Sequence, residues 1–162
     1  MRVLGIDPAL GVTGYGAIEF ADDRMALIEA GTISPPPRDS LERRLAFLHQ
    51  GIVSAISQTQ PTQIVIEELY TTYRNPLTAI LMGHARGVLC LAGAQAGIPV
   101  ATLAHSYVKR ALVGSGNARK DQVNAMVVTL LKLRTAPKPN DVSDALALAI
   151  AFGRQRLHPA LR

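Results

Sequence analysis

The chain has little cysteine, few aromatic residues and no tryptophan, and these shortages exclude several kinds of protein. Its 162 residues include one cysteine, four histidines, three phenylalanines and four tyrosines. A single cysteine cannot form an intramolecular disulfide, and Cys90 lies in an apolar run where a thiol is usually an inert core residue. With one cysteine and scattered histidines, no zinc-binding spacing is present. The length suits one well-buried domain and is short for two.

Acidic residues are scarce in the second part of the chain. Residues 72–162 contain twelve Lys and Arg against three Asp and Glu, whereas residues 1–71 contain five and nine. The whole chain has a formal net charge of +5 and an isoelectric point near 9.8. A surface this basic favours a polyanionic partner such as nucleic acid.

Long apolar runs are also missing. The first residues reach Asp7 before any run that resembles a signal peptide. Later apolar stretches are interrupted by Gly, His or Arg before the roughly 20 residues that a membrane span requires. We therefore expect a cytoplasmic protein that does not associate with a membrane.

The apolar pattern predicts one mixed α/β domain over residues 1–157, followed by a short tail at residues 158–162. Periodicity and turn residues predict strands at residues 1–7, 12–20, 26–33, 63–68 and 99–103, the first three as an antiparallel meander. Helices are predicted at residues 39–58, 75–96, 106–113, 118–133 and 141–152, the first opening on a capping-box-like Asp39-x-x-Glu42. Gly14 and Gly16 permit a close approach in the second strand, and the apolar centre of the fourth predicts burial on both faces.

Four acidic residues fall at the ends of predicted elements. Asp7 ends the first strand, Glu67 ends the fourth, and Asp141 and Asp144 begin the last helix on one face. Adjacent parallel strands would place the first two together at the carboxyl edge of the sheet, and one helical turn can present the others there. Any one of them alone is often a turn former or a helix cap, with Asn140 as the alternative N-cap. Together they would repel one another without a cation, and Mg²⁺ or Mn²⁺ is the suitable ion.

Three motifs resemble those of the RuvC family of Holliday junction resolvases. GIDPALGVTGYG at residues 5–16 is similar to the family's first motif, VIEELYTTYRN at 65–75 to its second, and DVSDALALAIA at 141–151 to its third. VKRALVGSGNARKDQV at residues 108–123 resembles the segment before the third motif. The resemblance runs from residue 1 to about residue 152 and departs at Ala9, where the family usually has glycine.

This resemblance implies a ribonuclease H-like fold, with a mixed five-stranded sheet flanked by helices. It also implies that Asp7, Glu67, Asp141 and Asp144 are the catalytic residues and the metal ligands. Glu68 follows directly in a strand and points to the other face, so we expect it to be no ligand.

Basic residues surround the glycine-rich segment at residues 114–116. Lys109, Arg110, Arg119 and Lys120 could bind DNA phosphates there, although a basic run is ordinarily a solvated face. The resemblance favours DNA binding, because Lys109 and Lys120 match basic positions in the family's active-site region. The segment is not a P-loop, since Arg119 stands where that motif requires glycine.

Tyr70 and Arg74 follow the second motif. An exposed tyrosine ring can stack on a base opened at a junction centre, and an arginine can hold the phosphate beside it. The alternative is that Tyr70 covers the edge of the sheet. The resemblance aligns Tyr70 with an aromatic position near the family's DNA cleft and favours stacking, whereas the role of Tyr73 stays open.

The function implied is a homodimeric endonuclease that resolves Holliday junctions by symmetric paired nicks in recombination and DNA repair. It would use two Mg²⁺ or Mn²⁺ ions per active site and work with the RuvA–RuvB branch-migration complex. A four-way junction has two-fold symmetry, so symmetric cutting needs two facing active sites. The small-residue helix at residues 75–96 is the candidate dimer contact, with packing on its own sheet as the alternative.

Two other functions compete with this one. Actin-like ATPases and sugar kinases share the fold and begin with a similar hairpin, but they need two such domains, and ATP hydrolysis without DNA would identify them. An inert junction-binding module would not need the four acids that this chain keeps.

Overall fold

Five strands form one mixed sheet in the computed structural model, which describes residues 1–22, 24–69 and 75–157. The strands are β1 (Arg2–Asp7), β2 (Thr13–Ala21), β3 (Arg24–Ile33), β4 (Gln63–Glu67) and β5 (Val100–Leu103), in the spatial order β3-β2-β1-β4-β5. β1 to β3 are an antiparallel meander, and β4 and β5 run parallel to β1. The predicted sheet and its opening meander are confirmed.

Helices cover both faces of this sheet. They are α1 (Leu41–Thr59), α2 (Pro76–Gln95), α3 (His105–Val113), α4 (Lys120–Leu130) and α5 (Asn140–Leu157). Because strand side chains alternate between faces, each central strand contributes to two hydrophobic cores. Val3 and Val65 pack with α3, α4 and α5, whereas Leu4 and Ile66 pack with α1 and α2. The predicted burial of β4 on both faces is confirmed.

Helix α5 lies at the centre of the fold. It is buried from Val142 to Gly153 except at Asp144, and it packs against β1 and β2. A Cβ added to Gly5 would lie 2.0 Å from the backbone oxygen of Ala145, so only glycine allows the helix backbone to approach β1 this closely. This contact fixes the start of α5 relative to the end of β1.

The start of α1 differs from the prediction. The helix begins at Leu41 with Ser40 as its N-cap residue, so Asp39 lies outside it. The Ser40 hydroxyl donates a hydrogen bond to the Glu42 carboxylate, and it caps no backbone N–H. The predicted capping box is therefore wrong, because the extended backbone at Ser40 starts the helix one residue later.

The later helices also differ at their ends. The predicted helix at residues 118–133 is shorter, since α4 ends at Leu130 and Lys132 has a left-handed φ of 52° that helical geometry does not allow. Asn140 is the first residue of α5 and not the cap before it. The tail predicted at residues 158–162 lies outside the described residues.

Helix α2 is apolar but belongs to the folded domain. By length and composition alone, it could cross a membrane. In its middle, however, Arg86 donates hydrogen bonds to the backbone oxygen of Glu67 and to the hydroxyl of Thr102, and Ala85 and Leu89 are buried against the core. These contacts tie one face of α2 to the sheet and to α1.

Candidate active site

Two carboxylates lie side by side at the carboxyl ends of neighbouring parallel strands. β1 and β4 pair with Ile6 opposite Ile66, and the next residues along the two strands are Asp7 and Glu67. Both residues are half-buried. This edge of an open α/β sheet is where ligands bind, and the strand register brings these two predicted site residues together there.

The first turn of α5 reaches the same edge. Gly14 of β2 is paired with Asp7, and a Cβ added to Gly14 would lie 2.1 Å from the backbone oxygen of Asp141. The missing side chain lets the start of α5 lie directly on β2, beside the end of β1. Asp144 follows on the same face of the helix, and its side chain is 18% exposed. All four predicted carboxylates are therefore at one edge of the sheet.

Their proximity changes the protonation of Asp7. Burial, followed by the negative charges of Glu67, Asp144 and Asp141, raises the pKa of Asp7 to about 8, and the positive charge of Lys120 opposes this increase. A carboxyl group with such a pKa keeps its proton at neutral pH unless another cation takes the proton's place. The site therefore has the electrostatic character of a cation-binding site.

Lys120 supplies a positive charge inside this cluster. Its Nζ lies 2.6 Å from Oδ2 of Asp144. Although burial lowers the pKa of the Lys120 ammonium, its hydrogen bond to Asp144 and the attraction of Asp144, Asp7 and Asp141 together raise it. Lys120 thus stays charged at neutral pH and holds one of the four carboxylates in place.

His105 is a site residue that the sequence interpretation missed. Its Nδ1 lies 2.6 Å from Oε1 of Glu67, and both side chains are partly buried. The contact arises because β5 lies parallel to β4 with Leu103 opposite Glu67, so the residue that begins α3 comes to lie beside that carboxylate. In the sequence, His105 is only a histidine two residues after a predicted strand. Its proximity to Glu67 depends on the pairing of β4 with β5, which the sequence does not indicate.

A cavity of about 290 Å³ opens between these residues. Its polar lining consists of Glu67, His105, Lys109, Lys120 and Asp144, and its apolar lining comes from α3, α4 and α5. Lys109 and Lys120 therefore share one cavity with two of the predicted catalytic carboxylates. A cavity with lysines along a carboxylate edge can admit a phosphodiester and hold it by its oxygens.

Two other predicted DNA contacts, Arg110 and Arg119, lie outside this cavity. Arg110 is exposed, with its guanidinium 5.8 Å from the centre of the Tyr107 ring. Arg119 forms an ion pair at 3.1 Å with Asp121, and neither arginine lines the cavity. Tyr70 and Arg74 lie outside the described residues. The DNA contacts of these four residues stay predictions.

The residues at this edge fit a divalent metal by charge and donor chemistry. Carboxylate oxygens are the donors that Mg²⁺ and Mn²⁺ prefer, and the charged form of Asp7 needs a cation beside it. Across residues 1–22, 24–69 and 75–157, no three His, Cys, Asp or Glu side chains lie close enough to form a compact ligand group. Asp144 contacts Lys120, and Glu67 contacts His105. These two carboxylates therefore lie at the edge of the sheet with other partners, and they are not yet arranged around a common metal position.

Comparison with known proteins agrees with this geometry. The family model described as crossover junction endodeoxyribonuclease RuvC matches residues 3–152. The chain is 46% identical to the crossover junction endodeoxyribonuclease RuvC of Desulforamulus reducens, over 95% of this chain and 94% of that protein. It is 43% identical to the protein of the same name from Dictyoglomus thermophilum, over 94% and 96% of the two chains.

A solved structure is similar over almost the whole chain. Thermus thermophilus RuvC has a TM-score of 0.89 and 29% sequence identity, with 98% of this chain and 97% of that chain covered. The same protein has also been solved in complex with a Holliday junction substrate, with a TM-score of 0.88 and 28% identity over the same shares of the two chains. This likeness confirms the predicted ribonuclease H-like fold. The chain belongs to the RuvC family of crossover junction endodeoxyribonucleases.

Proposed function

We propose that this protein binds four-way DNA junctions and resolves them by symmetric paired nicks during recombination and DNA repair. The observation that carries the proposal is the acidic edge, where Asp7 has a raised pKa beside three further carboxylates and next to a cavity with Lys109 and Lys120. Family membership and the junction substrate bound by the Thermus thermophilus relative support the same substrate. The basic second half of the chain suits such a polyanion.

The enzymes of this family depend on metal ions, and we propose two Mg²⁺ or Mn²⁺ ions per active site. Asp7, Glu67, Asp141 and Asp144 would hold them. When bound, such ions supply an activated water molecule and neutralise charge that develops on the phosphate. Burial and the other carboxylates raise the pKa of Asp7 to about 8, so loss of its proton at neutral pH depends on a neighbouring cation.

The chain's own cations would position the scissile phosphate. Lys120 is held at 2.6 Å from Asp144, and Lys109 lines the same cavity from α3. A lysine ammonium in a partly buried site binds a phosphate oxygen through a charge-assisted hydrogen bond. His105 would hold the Glu67 carboxylate in one orientation through the contact at Nδ1. Tyr70 and Arg74 are proposed to contact an opened base and its phosphate at the junction centre.

A homodimer through α2 would give two facing active sites. One face of α2 is exposed although it is apolar, with Leu77 58%, Ile80 56% and Leu91 51% exposed. Gly83 and Gly87, four residues apart, have open space where a Cβ would be. A second copy of the helix could therefore approach closely and cover this apolar stripe.

The setting of the reaction follows from the family resemblance. We propose that the protein acts in the cytoplasm and receives junctions from the RuvA–RuvB branch-migration complex. Co-purification of the protein with RuvA and RuvB on junction DNA would test this partnership, and recovery of the protein with junction DNA alone would contradict it.

Single carboxylate-to-amide variants test the proposed site. Asp7→Asn, Glu67→Gln, Asp141→Asn and Asp144→Asn should each lose cleavage of a synthetic four-way junction in Mg²⁺ while still binding it. Glu68→Gln is the matched control, because Glu68 is exposed one residue after β4 and should cleave like the parent. Normal nicking by Asp7→Asn would overturn the assignment. ATP hydrolysis by the parent without DNA would favour the nucleotide-binding alternative.

A further inference from the structure

A second basic cavity lies beside the acidic edge, between the edge strand β3 and the loop that joins α4 to α5. It has a volume of about 410 Å³, and we call it the β3 cavity. Its polar lining comes from Thr32 of β3 and from Arg134, Thr135 and Lys138 of the loop. Among the described residues, no acidic side chain lines it. Within the part of the chain that the structure describes, neither Arg134 nor Lys138 forms a salt bridge.

The strand register places this cavity close to the catalytic edge. Asp7 of β1 is paired with Gly14 of β2, and Gly14 is paired with Thr32 of β3. These three residues form a row across the sheet, and neighbouring strands are about 4.8 Å apart, so the Cα atoms of Asp7 and Thr32 are roughly 10 Å apart. Val142, which follows Asp141 directly, also lines the cavity. The two sites therefore share one edge of the sheet and the start of α5.

This spacing suits a DNA backbone that crosses both sites. Each nucleotide winds around the duplex axis as well as advancing about 3.4 Å along it, so neighbouring phosphates of one strand are roughly 7 Å apart in space and ~10 Å corresponds to one or two nucleotides. Two exposed cations with hydroxyl groups nearby are the side chains that bind phosphodiester oxygens. Arg134 can make a forked contact to one phosphate, and Lys138 can bind a neighbouring one as a point charge.

We propose that the β3 cavity binds the phosphate backbone of the DNA arm being cut, roughly one or two nucleotides from the scissile phosphate, through Arg134 and Lys138. This inference rests on the proposed junction substrate and adds a second point of attachment for it. The DNA arm would then be held at both ends of the row, by the active site at Asp7 and by the β3 cavity at Thr32. The scissile phosphate is then aligned by the arm's direction as well as by the lysines of the active-site cavity.

An extended acidic peptide is the other chemistry that this surface could accept. β3 is the outer strand of the sheet in this fold, and such an edge can pair with a further strand. DNA is favoured because two lining residues adjoin the acidic edge: Thr32 is paired with Gly14, and Val142 follows Asp141. The two occupants give different outcomes in the experiment below.

Removal of single phosphate charges tests the proposal on junctions. Neutral methylphosphonate linkages are placed one at a time, about one to three nucleotides from the cleavage site, on either strand of the arm. Junction affinity is measured in EDTA for the parent and for the double variant Arg134→Gln/Lys138→Gln. The parent should lose affinity several-fold at one or two of these linkages, and the double variant should be insensitive to the same linkages.

The salt dependence of binding gives a second readout. Each lost phosphate contact lowers the slope of log affinity against log salt by about 0.9, so the double variant should lose between one and two units of slope. Lys132→Gln is the matched control, since Lys132 is an exposed cation of the same loop that does not line the cavity, and it should keep the parent slope. The charge-keeping double variant Arg134→Lys/Lys138→Arg should retain most of the slope and confirms that the loop still folds.

Equal sensitivity of the parent and the double variant to every linkage would overturn the inference. So would parent-like junction binding by the double variant together with loss of binding to a polyglutamate peptide, since the cavity would then be a peptide site. A parent that neither binds nor cleaves junctions would instead refute the proposed function. The two failures are thus distinguishable.

Discussion

Replacement of Asp7 by Asn should make the metal-free protein more stable at neutral pH, although it removes catalysis. Burial and the charges of three neighbouring carboxylates raise the pKa of Asp7 from an ordinary 3.8 to about 8. The folded state therefore binds this proton more tightly than the unfolded chain does. The stabilisation that this proton gives the folded state is fully present below the pKa of Asp7 in the unfolded chain. It is lost as the pH rises through the pKa of Asp7 in the folded state.

The size of the effect follows from the width of that window. Each pH unit inside it lowers the free energy of unfolding by about 1.4 kcal/mol. Between about pH 5 and about pH 7, the parent should therefore lose up to roughly 3 kcal/mol that the variant keeps. Asn has nearly the shape of Asp and carries no charge, so the core around β1 should stay unchanged.

Urea unfolding in EDTA at several pH values between about 5 and 8 measures this difference. The gain in stability of Asp7→Asn over the parent should grow with pH across the series. Glu68→Gln, which neutralises an exposed carboxylate, should show no such growth. Addition of Mg²⁺ at neutral pH should stabilise the parent more than Asp7→Asn, because bound metal replaces the proton on Asp7. A constant difference across the pH series, or a variant that is less stable at neutral pH, would refute the electrostatic account of the site.

Substitutions at four further positions test particular contacts of the site. Lys120→Ala and Lys109→Ala should reduce junction cleavage, and lower salt should restore the part of the loss that comes from weaker binding; parent-like cleavage by both across a salt titration would contradict their phosphate contacts. His105→Ala should weaken Mn²⁺ binding, measured by electron paramagnetic resonance, by releasing Glu67, and His105→Asn should restore it because an amide N–H can replace Nδ1–H; equal binding by both variants and the parent would remove His105 from the site. Gly14→Ala should lower the free energy of unfolding in urea by about 1–3 kcal/mol, since its Cβ would overlap the first turn of α5, and an unchanged midpoint would contradict that close packing.

The sequence was sufficient for the sheet and for the acidic edge, because both depend on local patterns. Asp7 and Glu67 each end a strand, and parallel pairing of apolar strands leaves little choice of register. Gly14 was recognised as a point of close approach, and the structure shows that the start of α5 is what approaches it.

The remaining features depend on contacts between distant parts of the chain. The contact of His105 with Glu67 requires β5 to lie beside β4, and the pairing of Lys120 with Asp144 requires α4 to pack on α5. No periodicity within either segment indicates such a neighbour. The β3 cavity was missed for the same reason, since a loop between two helices faces a strand about a hundred residues earlier only in the folded chain.

Cleavage of a supercoiled plasmid that extrudes a cruciform tests most directly whether this edge of the sheet resolves junctions. Paired symmetric nicks at the cruciform convert the plasmid to a linear product, whereas a single nick gives an open circle. The protein should produce the linear form in Mg²⁺ and no product in EDTA, the Asp7→Asn variant should produce none in either, and a matched plasmid without the cruciform should stay supercoiled. Equal cutting of both plasmids, or linear product formed by Asp7→Asn, would contradict the assignment of this site as a junction-resolving nuclease.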